Sequence, residues 1–169
     1  MKYADKNTAD VLGYCVSLCT PEAIASSAYL EDKTLVANTI NPHSYVTAKR
    51  DPLFRDALRG SDFLIPDGIG IVIAHRLATG EKIKRVTGMD LYFTIMEEAD
   101  SRAGRVFFLG ASQETLSKIM EKARVQYPSI AIKTLSPPFR DHFEMPEIMN
   151  FCNLINGFRP DVLFVGLTA

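Results

Sequence analysis

Short runs of β-branched and aromatic residues alternate with helix-patterned segments along nearly all of this 169-residue chain. The runs Val11–Leu18, Thr34–Ile40, Phe63–Ile65, Val106–Leu109, Ile130–Leu135 and Val162–Leu167 have the length and residue types of strands. Asp51 and Pro52 open a helix that carries Leu53, Phe54, Ala57 and Leu58 on one face and stops at Gly60. Helical spacing recurs over Ile69–Ala78, Asp90–Ala103, Gln113–Gln126 and Pro146–Phe158, the last bounded by Gly157 and Pro160. Strands that alternate with helices predict an α/β fold, a mostly parallel sheet with helices on both faces.

At 169 residues, 47% of them hydrophobic, the chain can fill one core, so a single domain over residues 1–169 is expected. Lys and Arg number 19 against 20 for Asp and Glu. That balance gives no global attraction to a polyanion, so nucleic acid is not an expected partner. Cys15, Cys19 and Cys152 are odd in number and lack C-x-x-C spacing, which argues against a disulfide framework and a structural zinc site and fits a reducing cytoplasm. Cys15 and Cys19 read as small buried hydrophobes. The start, Met1 to Lys6, lacks the apolar stretch of a secretory signal, and no run approaches the ~20 apolar residues that span a bilayer, so a soluble chain is expected.

In open parallel sheets, ligands bind beyond the carboxyl ends of the strands. The candidate segments are therefore Thr39–His43, Pro66–Gly70, Gly110–Gln113, Ser136–Arg140 with Phe139, and the chain from Gly166 onward. Phe63-Leu64-Ile65-Pro66-Asp67-Gly68-Ile69-Gly70 is the most informative of the sequence, since a strand runs into a carboxylate and two glycines before a helix. The glycines allow backbone N–H groups close to a ligand. Asp67 reads either as an acid–base group facing a neutral sugar or as the cap of the following helix. Thr39 and Asn41 share a strand face and could hold hydroxyl groups beside it, or could belong to an Asn-Pro turn. Lys82, Lys84 and Arg85 precede Thr87-Gly88-Met89-Asp90, and this cluster suits a leaving diphosphate or forms a solvated basic loop.

Gly110 marks another strand-to-helix bend, with Ser112 as the N-cap, that could embrace a nucleotide. No G-x-G-x-x-G accompanies it, so a dinucleotide cofactor and an NAD-dependent oxidoreductase are disfavoured. No D-x-D is present to hold a divalent ion on a diphosphate, so metal independence, with no cofactor, is the expectation. His75 and His142 lack a second ligand at metal spacing and read as structural.

Taken together these segments resemble the WecG/TagA/CpsF family of bacterial glycosyltransferases, which includes teichoic-acid N-acetylmannosaminyltransferases. The likeness covers nearly the whole chain. It rests on Thr39-Ile40-Asn41, on Asp67-Gly68 after an apolar strand, on Arg85-Val86-Thr87-Gly88-Met89-Asp90-Leu91, on Phe108-Leu109-Gly110, and on Pro160-Asp161 leading to Val165-Gly166-Leu167. The resemblance implies a Rossmann-like fold and an inverting, metal-independent transfer from a UDP-sugar donor to a polyprenyl-diphosphate-linked saccharide in cell-surface polysaccharide synthesis. Asp67 would be the base, Thr39 and Asn41 the pocket-lining pair, and Arg85 the residue that steadies a diphosphate. Gly68, Gly88, Asp90, Gly110, Ser112, Phe139 and Gly166 would bind substrate. Such a protein would be cytoplasmic and peripheral to the inner face of the cell membrane.

Chains similar to this one continue beyond the last strand into a Pro-Lys-Gln-Glu type motif and a basic segment, whereas this sequence stops at Gly166-Leu167-Thr168-Ala169. The expectation is a truncated catalytic domain whose uncovered apolar surface drives homo-oligomerisation. The alternative reading is a non-catalytic nucleotide-binding α/β module.

Overall fold

Leu12 and Gly13 both adopt positive φ, 55° and 82°, in the computed structural model, which describes residues 7–30, 33–140 and 142–167. Two consecutive positive φ values match the twist of a two-residue hairpin loop. The stretch predicted as one strand over residues 11–18 is therefore a hairpin, β1 (Thr8–Val11) and β2 (Tyr14–Ser17), with Val11 opposite Tyr14. Its pairing is antiparallel, whereas the other strand pairs among the described residues are parallel, as expected of a mostly parallel fold. Met1–Lys6 and Thr168–Ala169 lie outside the described residues.

The remaining elements follow in order: α1 (Pro21–Ser27), β3 (Ala37–Ile40), α2 (Pro42–Arg50), α3 (Pro52–Arg59), β4 (Phe63–Pro66), α4 (Ile69–Thr79), α5 (Gly88–Ser101), β5 (Arg105–Gly110), α6 (Gln113–Gln126), β6 (Ala131–Leu135), α7 (Met145–Phe158) and β7 (Val162–Gly166). The fold is α/β, with parallel and antiparallel strand pairs and flanking helices. Helices α1 and α2 were not legible as helices. Both are short, and each starts at a Pro that follows a capping Thr20 or Asn41.

The chain forms two compact units, one up to Ile95 and one from Met96, with the boundary inside α5. In the first, β3 pairs parallel with β4. One cluster joins Val11, Tyr14, Val16, Ile40, Leu64 and Ile71, and a second joins Ile24, Phe63, Ile65, Val86 and Leu91. Along β4, Leu64 thus faces one cluster while Phe63 and Ile65 face the other, as the twofold period of a strand requires. All four residues of β4 are buried, and its large apolar side chains contribute about 1.5–3 kcal/mol each. His75 of α4 is buried, with Nδ1 3.2 Å from the Asp10 carbonyl oxygen and Nε2 3.4 Å from the Thr79 hydroxyl, a structural role. Cys15, expected inside, is exposed, because the hairpin turns it away from the side of β2 that buries Tyr14 and Val16.

In the second unit the strand order is β6-β5-β7, all parallel. Central β5 buries Val106, Phe107 and Phe108, and Phe108 stacks on Phe164 of β7 with centroids 5.1 Å apart. The Arg105 amide donates to the Asp161 carboxylate at 2.7 Å, and the Asp161 amide donates to the Arg105 carbonyl at 2.8 Å. This reciprocal pair aligns the starts of β5 and β7. Among the described residues no helix is long and apolar enough to cross a membrane.

Candidate active site

Strands β3 and β4 run in register, Thr39 beside Ile65 and Ile40 beside Pro66. The pairing continues one step further, where the Asp67 amide donates to the Ile40 carbonyl at 2.9 Å. Asn41 is still extended, with φ −129° and ψ 173°, so it lies alongside Asp67 just past the strand ends. By strand parity Thr39, Asn41 and Asp67 fall on one side of this two-stranded edge.

Gly68 turns the chain at once, with φ 87° and ψ 139°, and serves as the N-cap of α4 without any side-chain cap bond. A side chain would be strained in that conformation. Asp67 therefore does not cap α4. Its half-buried carboxylate takes no hydrogen bond or ion pair among the described residues. A carboxylate left uncommitted at such a turn is free to accept a proton or a hydroxyl hydrogen bond from a ligand. Gly70 has a different explanation from the one its sequence suggested. A β-carbon there would lie 2.7 Å from Pro42 Cγ, so its smallness serves the packing of α4 on the Asn41-Pro42 corner.

Asn41 caps α2. Its Oδ1 accepts from the Ser44 amide at 2.9 Å, while Ser44 Oγ accepts from the Asn41 amide at 2.8 Å and donates to the Asn41 carbonyl at 3.0 Å. Asn41 is thus the Asn-Pro helix start, and it also stands beside Asp67. Ser44 was missed from the sequence, although Asn followed by Pro and, three residues on, by a hydroxyl residue is a legible cap signal. The Thr39 methyl lies 3.5 Å from where a Gly88 β-carbon would stand, so Gly88 brings the start of α5 against Thr39.

The segment before α5 alternates, with Lys82, Lys84 and Arg85 exposed and Ile83 and Val86 buried. The Val86 amide donates to the Pro66 carbonyl at 3.4 Å, a long bond that places Arg85 one residue from the β4 end that leads into Asp67. Lys82 and Lys84 line a depression of about 210 Å³ with Ser17, Cys19 and Thr20, and Asp67 is not among its lining residues. Asp90 is a cap residue: the Thr87 amide donates to its carboxylate at 2.8 Å, and the Asp90 amide donates to the Thr87 hydroxyl at 3.0 Å. The Thr87 amide and hydroxyl, with a smaller contribution from Arg85 and Lys84, hold the Asp90 carboxyl below the ordinary range.

The other predicted residues belong to the second unit. Gly110 has φ 110°, and a β-carbon there would lie 2.5 Å from the Gly166 carbonyl oxygen, so only glycine lets β5 and β7 end this close together. The Ala111 amide donates to that same carbonyl at 3.3 Å, and the Ser136 hydroxyl donates to the Ala111 carbonyl at 2.7 Å. Gly110, Gly166 and Ser136 thus meet at the carboxyl edge of this sheet. Ser112 caps α6 as expected, accepting from the Thr115 amide at 3.2 Å. Phe139 is almost fully exposed in its loop.

Residues 9–169 match the model of the glycosyl transferase WecG/TagA/CpsF family. The chain is 31% identical over 130 residues to an N-acetylglucosaminyldiphosphoundecaprenol N-acetyl-beta-D-mannosaminyltransferase of Bacillus spizizenii, covering 76% of this chain and 48% of that protein. It is 29% identical over 140 residues to the protein of the same description in Bacillus subtilis, covering 82% and 53%. The chain spans about half the length of the curated relatives it matches.

Proposed function

The chain belongs to the WecG/TagA/CpsF family of glycosyl transferases, and from that premise we propose that it is the catalytic part of an inverting, metal-independent enzyme that moves a sugar from a UDP-sugar to a polyprenyl-diphosphate-linked saccharide. The acceptor class is that in the names of the two Bacillus relatives, which describe transfer to N-acetylglucosaminyldiphosphoundecaprenol. The observation that carries the reading is the half-buried Asp67 carboxylate, which neither caps its helix nor pairs with a cation among the described residues and stands beside Thr39 and Asn41.

Asp67 takes the proton of the acceptor hydroxyl as its oxygen attacks the anomeric carbon from the face opposite the nucleotide. The new bond joins that oxygen to the anomeric carbon, and the bond to the UDP oxygen breaks, so the diphosphate leaves with the electron pair. Arg85, exposed near the same strand ends, meets the charge that grows on the diphosphate. The enzyme works in the cytoplasm at the inner membrane face, where its lipid-linked acceptor is found. Self-association belongs to the same reading, supported by the exposed apolar side chains of Met145, Met149 and Val165.

The test is Asp67→Asn in a form as long as the relatives. Turnover should fall by about 10²- to 10⁴-fold, the usual worth of a general base, with UDP-sugar binding unchanged. Near-normal turnover would remove Asp67 from the mechanism, whereas UDP-sugar binding without any turnover by the wild-type protein would favour a nucleotide-binding module without catalysis.

A further inference from the structure

Lys82, Lys84 and Arg85 form one basic run in the sequence, but the structure sends them to two places. Lys82 and Lys84 line the depression of about 210 Å³ together with Ser17, Leu18 and Pro21, whereas Arg85 is not part of its wall. Neither lysine makes a hydrogen bond or ion pair among the described residues, and no carboxylate lines the depression there. Glu22, the residue after Pro21, is already engaged, because its own amide and then the Thr20 hydroxyl hold its pKa below the ordinary value, with Lys84 the least of the causes. Ser17 supplies a third donor. It is 4% exposed, its Oγ accepts from the Cys19 amide at 3.3 Å, and its own O–H proton takes no acceptor among the described residues. A buried hydroxyl proton left without an acceptor is a donor ready for a ligand. Leu18, Pro21 and Ile83 make the adjoining wall apolar, and low-dielectric walls strengthen the pull of two cations on an anion.

We infer that Ser17, Lys82 and Lys84 form a second diphosphate site, separate from Arg85, that holds the diphosphate of the lipid-linked acceptor. This rests on the proposed transfer, which brings two diphosphates to one centre: the donor's, which leaves, and the acceptor's, which stays joined to its lipid and its saccharide. Two anions of like charge need separate partners. The depression is placed for the second of them. Val86 lines it, and the Val86 amide donates to the Pro66 carbonyl at 3.4 Å, so it adjoins the end of β4 that leads into Asp67, which itself lies outside it. A diphosphate held there leaves the attached saccharide to reach toward Asp67. No aromatic side chain lines the depression for a nucleotide base to stack on, and its apolar wall suits the first carbons of a lipid.

Division of the basic run supplies the test. Binding of geranyl diphosphate, inorganic pyrophosphate and UDP is measured by calorimetry on the 169-residue wild-type chain, on the double variant Lys82→Gln with Lys84→Gln, on Ser17→Ala and on Arg85→Ala. Wild-type protein should bind geranyl diphosphate even when saturated with UDP, and more tightly than it binds inorganic pyrophosphate. The double lysine variant should lose about tenfold or more in affinity for geranyl diphosphate and keep its affinity for UDP, because charge-assisted bonds to one anion only are removed. Arg85→Ala should do the reverse, and Ser17→Ala should weaken geranyl diphosphate by a smaller factor than the lysine pair. Displacement of geranyl diphosphate by UDP, unchanged affinity in the double lysine variant, or no binding of geranyl diphosphate by wild-type protein overturns the inference and leaves the Asp67 mechanism standing. Inorganic pyrophosphate bound as tightly through the same lysines would make the depression a site for a free anion and overturn its assignment to the acceptor. Failure of wild-type protein to bind UDP, with lysine-dependent binding of geranyl diphosphate retained, would overturn the proposed donor and not the second site.

Discussion

Gly70 sits so close to Pro42 that a β-carbon on it would lie 2.7 Å from the proline Cγ. The proline ring is stiff and starts α2, so it cannot swing aside as a long side chain would. Gly70→Ala gains about 0.5–1 kcal/mol of helix propensity but overpacks this contact, which costs about 1–3 kcal/mol, and the clash should win. Gly88→Ala is the control, because its β-carbon would meet Thr39 at an ordinary 3.5 Å. Urea unfolding should show a loss for Gly70→Ala and little change for Gly88→Ala.

Two aspartates that look alike in sequence should respond differently to truncation. Asp51 caps α3, accepting from the Phe54 amide at 3.0 Å, whereas Asp67 makes no cap bond to α4. Asp51→Ala should lose about 1 kcal/mol of stability, and Asp67→Ala should lose less than half of that. Comparable losses in chemical denaturation would restore Asp67 to the role of a helix cap.

Arg85 is expected to act on the donor. Arg85→Ala, in a form as long as the relatives, should weaken UDP-sugar binding about tenfold and lower turnover further, since the charge is met in the bound donor and more strongly as the bond breaks. EDTA should leave wild-type and variant rates unchanged, because the proposed site relies on Arg85 and not on a divalent ion. Loss of activity on chelation, or intact donor binding in Arg85→Ala, would count against this assignment.

The cap of α5 should be sensitive to acid. The Thr87 amide and hydroxyl favour the ionised Asp90 carboxylate and lower its pKa in the folded chain from the ordinary 3.8. A group whose folded-state pKa is depressed lends its full stability above its unfolded value and loses it as pH falls through the folded value. The contribution of Asp90 should thus be constant from neutral pH down to about 5 and fade below about 4. Asp90→Asn should flatten that part of the stability–pH curve, as measured by thermal unfolding. A curve identical to wild-type would show that Thr87 does not distinguish the two protonation states.

Much of the site was legible from local spacing. The strand that runs into Asp67-Gly68, the helix starts at Pro52 and Gln113, and the convergence of Thr39 with Asn41 all follow from patterns of two to four residues. The hairpin at Leu12-Gly13 was not legible, because its turn puts a leucine at positive φ, where propensity argues against a bend. Asp161 carried a family signal, and its carboxylate ties the start of β5 to β7. Ser44 went unnoticed because its hydroxyl serves a cap that only Asn41 makes worth noticing.

What the amino-acid sequence determined by itself was the order of the elements from β3 onward other than α2, and the chemical groups at their ends, since backbone preference and side-chain period act over a few neighbouring residues. The tertiary structure decided which of those groups are free. Asp67 lies 26 residues from Asn41 along the chain, and the two meet only because the parallel pairing of β3 and β4 fixes their register. Gly70 must be glycine because of Pro42, and Gly110 because of Gly166. Each of these contacts joins segments distant in sequence, and such contacts decide whether a carboxylate caps a helix or faces a ligand.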